Sequence, residues 1–258
     1  MINWYQHKIQ LELKGWQKKM TRRPSVAGKL SKAVQDKINK FIPQKIHKAI
    51  TVTIKQMVRA VLFGSKYTAP KKNNFNSIEE TEDAILKKID NYKKTAAVEG
   101  GITGAGGILL GFVDFPVLLG IKIKLLFDIA AMYGFDVKDY KERLYILYIF
   151  QLAFSSQKYR KVIYEQIQNW EEKVKELPDD IHSFDWHSFQ QEYRDHIDLA
   201  KMAQLIPGIG AVIGVIVNYQ LIKKLGNTAM NAYRMRLSHH LRVEQAEPIP
   251  KIIPKKVQ

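Results

Sequence analysis

Apolar residues recur at steps of three and four along most of this chain. Ile2, Tyr5, Ile9, Leu13, Trp16 and Met20 fall on one face of a helix, with Lys8, Lys14, Lys18 and Lys19 mostly off it. Thr21-Arg-Arg-Pro24-Ser breaks that helix, because proline disfavours helical geometry in the residue before it. The same spacing predicts a second helix through Leu30, Val34, Ile38 and Phe41, and a third from Ile46 through Leu62 that stops near Gly64. Residues 65–77 are polar and turn-rich and read as a linker. Ser77 with Glu80 forms a capping-box pattern ahead of a helix through Ile78, Ile85, Ile89, Tyr92 and Ala96. A stop at Gly134 precedes a second such pair, Asp139 with Glu142, which opens an apolar helix from Leu144 to Phe154. Tyr159 to Leu177 reads as one amphipathic helix, and Phe184 to about Arg242 as helix interrupted only at Pro207-Gly208. No stretch alternates apolar and polar residues between turn signals, so the expected fold is all-α, a multi-helix bundle. The divisions expected are a basic helical arm over 1–64, the linker, a helical domain over 78–242 and a flexible basic tail over 243–258.

Two segments depart from ordinary amphipathic patterning. Residues 102–121 form an apolar run with one charge, Asp114, and residues 205–222 carry no charge at all. Gly100, Gly104, Gly107 and Gly111 are spaced as one smooth stripe on a helix, and Gly210 with Gly214 continues a small-residue face on the second segment. Each glycine costs a helix about 1 kcal/mol relative to alanine, so close helix packing has to compensate. Asp114-Phe-Pro116 reads as an N-cap with proline in the first turn, which divides the first run into a helix ending near 112 and another over about 115–133. Neither half then spans a bilayer. The two segments are expected to be packing partners at the centre of the bundle, with insertion into a membrane as the alternative.

Charge changes the picture next. The net charge is +16, but residues 1–60 hold 14 basic and 2 acidic groups and residues 223–258 hold 8 and 2, leaving the body near neutral. A basic amphipathic helix bearing aromatic residues suits an anionic membrane surface, with Trp4, Tyr5, Lys8, Trp16, Lys18, Lys19, Arg22 and Arg23 as its contacts. The other reading is a solvated helix that covers the core. No recognition helix or base-stacking module supports specific nucleic-acid binding. Zero cysteines exclude disulfides and thiolate zinc sites, and no apolar run of signal-peptide length opens the chain, so a cytoplasmic location at the inner face of the cell membrane is expected.

Taken together, Gly100-GITGAGGILLGFVDFPVLL, Ile129-AAMYGFDVKDYKERLYIL and Leu205-IPGIGAVIGVIVNYQLIKKLGNTAMNAYRMR resemble the EcsC family of bacterial proteins, over roughly residues 75–242. The family takes its name from a gene beside those of an ABC transporter. The resemblance therefore implies membrane-proximal work, with an ABC transporter as a partner, and it brings no catalytic residues. Asp114-Phe-Pro and Asp139-Tyr-Lys-Glu-Arg depart from the family pattern while keeping its capping chemistry.

The candidate polar site comprises Glu99, Asp114, Asn218, Arg234 and Arg236. Arg234 or Arg236 is positioned in sequence to pair with Asp114 or with a lipid phosphate, since guanidinium binds oxyanions bidentately; otherwise both are solvated. His187 and His196 lie too far apart for a one-turn metal pair, and the glycines around 104 lack the Lys-Ser/Thr of a phosphate loop. No cofactor or metal is expected. The expected function is that of a non-enzymatic peripheral membrane protein accessory to a process such as ABC transport. The alternatives are a lipid- or fatty-acyl-binding module, and a membrane-proximal enzyme using Glu99 or Asp114.

Overall fold

The computed structural model describes residues 4–22, 44–63, 75, 77–104, 107–156, 158–197 and 211–246, with the side chains at 44–47, 96–104, 107–114, 211–217 and 239–246 left aside. Its helices in chain order are α1 (Trp4–Thr21), α2 (Gln44–Phe63), α3 (Ile78–Gly104), α4 (Gly107–Met132), α5 (Tyr140–Phe154), α6 (Arg160–Gln168), α7 (Trp170–Glu176), α8 (Trp186–His196) and α9 (Ala211–Ala246). Among the described residues the only β pairing is an isolated bridge between Ser155 and Ile197. The fold is an all-α multi-helix bundle.

Local chemistry accounts for several boundaries. Ser77 Oγ accepts from the Glu80 amide at 3.1 Å and starts α3. α4 closes in a Schellman turn: Gly134 sits at φ +90°, its amide donates to Ala131, and the Phe135 amide donates to Ala130. Asp139 caps α5 by accepting from the Lys141 amide at 2.9 Å. The capping box expected there is not completed, because Glu142 turns into the core. α4 is continuous from Gly107 through Pro116, so the break expected at Asp114 is not there; α3 ends at Gly104 and α4 begins at Gly107. Gly100 and Gly104 therefore belong to one helix and Gly107 and Gly111 to the next, and the four do not form a single stripe. Asn169 separates α6 from α7 where one helix was expected.

Register follows from three sets of cross-helix bonds. Glu82 meets Tyr133 and Lys88 and Tyr92 meet Asp128, so α3 and α4 run antiparallel as a hairpin. Glu82 meets Arg234, Ile89 faces Gly226 and Lys93 covers Tyr219, so α9 runs antiparallel to α3. Lys122 meets Asn218 and Tyr133 stacks on Tyr233, so α9 runs parallel to α4. All three helices consequently bring their glycine-rich ends to the same end of the bundle.

α2, α5, α6 and α8 pack around this trio. Ile50, Ile54, Val58 and Val61 of α2 join Leu126, Leu147, Phe150 and Leu225 in one apolar core. α1 buries Tyr5, Ile9 and Leu13, and Trp16 lies edge-on to Tyr164 at 5.6 Å. The helices expected as an arm thus share the core of the body. The linker 65–77 and the tail fall largely outside the described residues, as does the second predicted helix.

One glycine in α9 is required by space. A Cβ at Gly226 would lie 2.5 Å from Cδ1 and 2.7 Å from Cγ1 of Ile89, which is 2% exposed and cannot swing away. Alanine favours a helix by about 1 kcal/mol, whereas overpacking a core costs about 1–3 kcal/mol, so Gly226→Ala is expected to destabilise. Pairing it with Ile89→Val should recover part of the loss. Urea denaturation of the two variants checks this, and a more stable single variant would contradict the crossing geometry.

Candidate functional site

Four charged groups on the inward faces of the central helices organise the polar interior. Glu82 follows Ile78 by four residues and precedes Ile85 by three, so it lies on the apolar stripe of α3, and it is 0% exposed. Its carboxylate accepts from Arg234 Nε at 2.7 Å and Nη2 at 2.6 Å, from Tyr5 at 2.8 Å and from Tyr133 at 2.9 Å. Those four bonds use its acceptor sites. Arg234 also holds Glu12 at 2.9 Å. One ion cluster thereby ties together α1, α3, the end of α4 and α9.

Two residues along α9 the pattern repeats. Arg236 pairs with Glu142 of α5 and with Glu171 of α7, and its guanidinium lies over Phe135 at 4.2 Å and Tyr145 at 4.9 Å. Tyr233 donates to Glu142 at 2.6 Å. Burial pushes the Glu142 carboxyl above the usual carboxylate range, and Arg236 and Tyr233 pull it back only in part. Arg234 and Arg236 are therefore not solvated, which was one of the two readings the sequence offered. They are held by carboxylates that sequence reasoning overlooked. The missed signal was a charge standing on an apolar stripe.

A third centre is Asp128, 1% exposed, which receives Lys124 at 2.7 Å, Lys88 at 3.2 Å and the Tyr92 hydroxyl at 2.8 Å. The fourth is Lys122, 0% exposed, which donates to Asn218 at 3.2 Å and to the Leu118 carbonyl at 3.3 Å. Asn218 is thus a buried acceptor at the base of the glycine-rich end. The side chains of Glu99, Asp114 and the glycine-stripe positions lie outside the described ones, and Gly210 and Arg23 lie outside the described residues.

The phenols bonded to these carboxylates carry a pH prediction. Burial first, then hydrogen bonding to Glu82 or Asp128, raises Tyr5 and Tyr92 above the ordinary value, and burial with the neighbouring Glu82 or Glu142 raises Tyr133 and Tyr233. A raised native pKa means the folded chain keeps protons that the unfolded chain releases above about pH 10, so stability falls as pH rises past that point. Absorbance titration of tyrosinate should show these phenols ionising only on alkaline unfolding. Full ionisation near pH 10 with the fold intact would contradict the network.

Of the positions expected to touch lipid, Tyr5 and Trp16 are turned inward, while Trp4 is 72% exposed and Lys8 lies over its ring at 5.7 Å. Lys18, Lys19 and Arg22 are exposed. The apolar face of α1 covers the core. Between Thr95 and Ile121 the only charges are Glu99 and Asp114, and between Met202 and Ile222 there are none. The described parts of these stretches, 95–104, 107–121 and 211–222, form the converging ends of α3, α4 and α9. At their border Val117 is 56% exposed, and Lys93 caps the half-exposed Tyr219 ring at 5.0 Å, with Lys94 and Lys223 exposed nearby in register. Among the described residues no helix is long and apolar enough to cross a membrane, and no group of three or more His, Asp or Glu is disposed to hold a metal ion.

The family model described as the EcsC protein family matches residues 7–237. Protein EcsC of Bacillus subtilis (strain 168) is 46% identical over 223 residues, covering 86% of this chain and 92% of that protein. An uncharacterized protein of the same organism, YdbA, is 30% identical over 172 residues, covering 63% of this chain and 62% of its own. No solved structure matches the chain. The match begins inside α1 and ends inside α9, so it takes in the N-terminal helices that the resemblance over 75–242 had left out, in keeping with their place in the shared core. By the extent of that match and by its likeness to a relative of nearly equal length, the chain belongs to the EcsC family.

Proposed function

We propose that this protein is a non-enzymatic, peripheral membrane protein that seats the glycine-rich end of the α3–α4–α9 bundle in an anionic bilayer surface at the cytoplasmic face. The observation that carries this reading is the helix register, which gathers both glycine-rich apolar segments at one end beside Lys93, Lys94, Lys223 and Tyr219. An apolar tip above a lysine and tyrosine collar has the layering of a membrane interface, where tyrosine sits at headgroup level and lysine at the anionic surface.

Geometry limits the depth. The ten residues from Thr95 to Gly104 extend about 15 Å, half of a bilayer's hydrocarbon core. The helix ends at Gly104 and Gly107 carry backbone groups without intrahelical partners, and these need water or headgroups. The contact we propose is therefore interfacial, about 5–10 Å deep. The exposed Lys8, Lys14, Lys18, Lys19 and Arg22 of α1 add attraction of about 1 kcal/mol per Lys or Arg close to the surface. A role beside an ABC transporter is the family-level expectation that this placement accommodates.

Flotation with vesicles tests the proposal. Vesicles containing phosphatidylglycerol should carry the protein at 0.1 M salt, vesicles of phosphatidylcholine alone should carry much less, and binding should weaken as salt shortens the screening length from about 10 Å to about 3 Å at 1 M. Absence of binding to anionic vesicles at low salt would overturn it.

A further inference from the structure

A groove of about 720 Å³ runs between α1 and α9, within the size range of small-molecule sites. Tyr5, Lys8, Glu12, Trp16, Lys19 and Met20 form its α1 wall at helical spacing, and residues 220–234 of α9 form the other. Each wall is about 20 Å long at 1.5 Å per residue. Six cations line the groove (Lys8, Lys19, Arg160, Lys223, Lys224 and Arg234) against one carboxylate, Glu12, which Arg234 already holds. Between the cations lie aliphatic and thioether surfaces from Leu86, Leu152 and Met230.

Arg160 stands out among these cations. It opens α6, its Nη2 donates to the Arg22 carbonyl at 3.1 Å, and its Nε is buried with no hydrogen-bond partner among the described residues. No carboxylate pairs with it among the described residues, and burial lowers its pKa. Among the described residues the guanidinium makes one hydrogen bond and no ion pair, so an oxyanion in the groove would supply the partner it lacks. Lys224 lines the same groove and reaches the Ala153 carbonyl at the end of α5.

We propose that this groove binds a single-chain anionic amphiphile, with its headgroup at Arg160 and Lys224 and its acyl chain along Leu86, Trp16 and Met230. The excess of cations over carboxylates along the groove selects against a neutral lipid, whose headgroup would leave that positive charge unbalanced. The apolar wall selects against a small free anion, which would leave that surface wet. Arg234 lines one end of the groove, but its guanidinium donors are already engaged by Glu82 and Glu12, so it is not assigned to the headgroup. Lys223 also borders the bundle end, but the headgroup position at Arg160 does not, so the site stands whether or not that end enters a bilayer.

Titration calorimetry on the full chain tests it, using oleoyl lysophosphatidate below its micelle concentration, inorganic phosphate and monoolein. One lysophosphatidate per chain should bind, with inorganic phosphate and monoolein each roughly a hundredfold weaker. Arg160→Gln should weaken binding about tenfold. Leu86→Asp sits at a half-exposed wall position that the fold tolerates, and it should weaken binding about as much through charge repulsion and lost apolar contact. Lys55→Gln, on α2 and outside the groove, should leave binding unchanged. Lysophosphatidate affinity unmoved by both groove variants, equal affinity for phosphate or monoolein, or no binding by the natural chain would each overturn the proposal. Flotation of Arg160→Gln with anionic vesicles should be nearly unchanged, which separates failure of this site from failure of the membrane contact.

Discussion

Replacing Arg234 with methionine is expected to lower the unfolding free energy by about 3–5 kcal/mol, because it strands Glu82 as a buried charge without its partner. For a chain of this size that corresponds to a thermal midpoint roughly 10 °C lower. The loss exceeds the worth of the pair itself. The intact pair has already offset the desolvation of two charges, and removing one member leaves the whole penalty on the other. Tyr5 and Tyr133 keep their bonds to the stranded carboxylate, so they moderate the loss without cancelling it. Adding Glu82→Gln to Arg234→Met removes the charge while keeping an acceptor for the phenols, so the double variant should be more stable than Arg234→Met alone. Severing the exposed Lys175–Glu172 pair should cost well under 1 kcal/mol by the same assay. Chemical denaturation of the four proteins checks the set. A loss at Arg234 as small as that at Lys175 would show that the cluster does not hold α1, α3 and α9 together.

The second large effect concerns the bundle end. A carboxylate near the hydrocarbon costs about 2.5–3.5 kcal/mol on insertion scales, equivalent to roughly a hundredfold in partitioning. Leu109→Asp and Leu110→Asp, made separately in α4, sample two directions about 100° apart at the glycine-rich end. A variant that keeps its helical circular dichroism and thermal midpoint should lose binding to phosphatidylglycerol vesicles by about two orders of magnitude. Retention of full binding by both, with the fold intact, would place the membrane contact elsewhere, with the exposed lysines of α1 the next surface to test.

Much of this architecture was legible in the sequence because it depends on local rules. The apolar spacing in α1 and α2, the Ser77 cap and the Gly134 stop are decided within a few residues, and the structure has them where the pattern puts them. The interior was less legible because its chemistry is nonlocal. Glu82 and Arg234 are 152 residues apart, and Glu142 and Arg236 are 94 apart. Helical periodicity shows a charge on an apolar stripe without saying which distant charge will face it. Glu142 also fitted a capping box, and the local reading lost to a buried partner worth more than a cap. The division of the glycine-rich run was misplaced for a related reason. Asp114-Phe-Pro has the grammar of a helix start, yet α4 runs unbroken through it, and the antiparallel pairs Glu82–Tyr133 and Lys88–Asp128 bring the end of α3 beside the start of α4.

The central claim, that the converging ends of α3, α4 and α9 meet lipid, is tested most directly by a reporter at that end. The chain has no cysteine, so Leu109→Cys, Leu110→Cys and Lys55→Cys can each carry one environment-sensitive fluorophore. On adding phosphatidylglycerol vesicles, the fluorophore at 109 or 110 should shift to the blue and become quenched by a quencher attached within the acyl region, while the one at 55 should do neither. Emission at 109 and 110 that stays water-like on vesicle-bound protein would contradict the account.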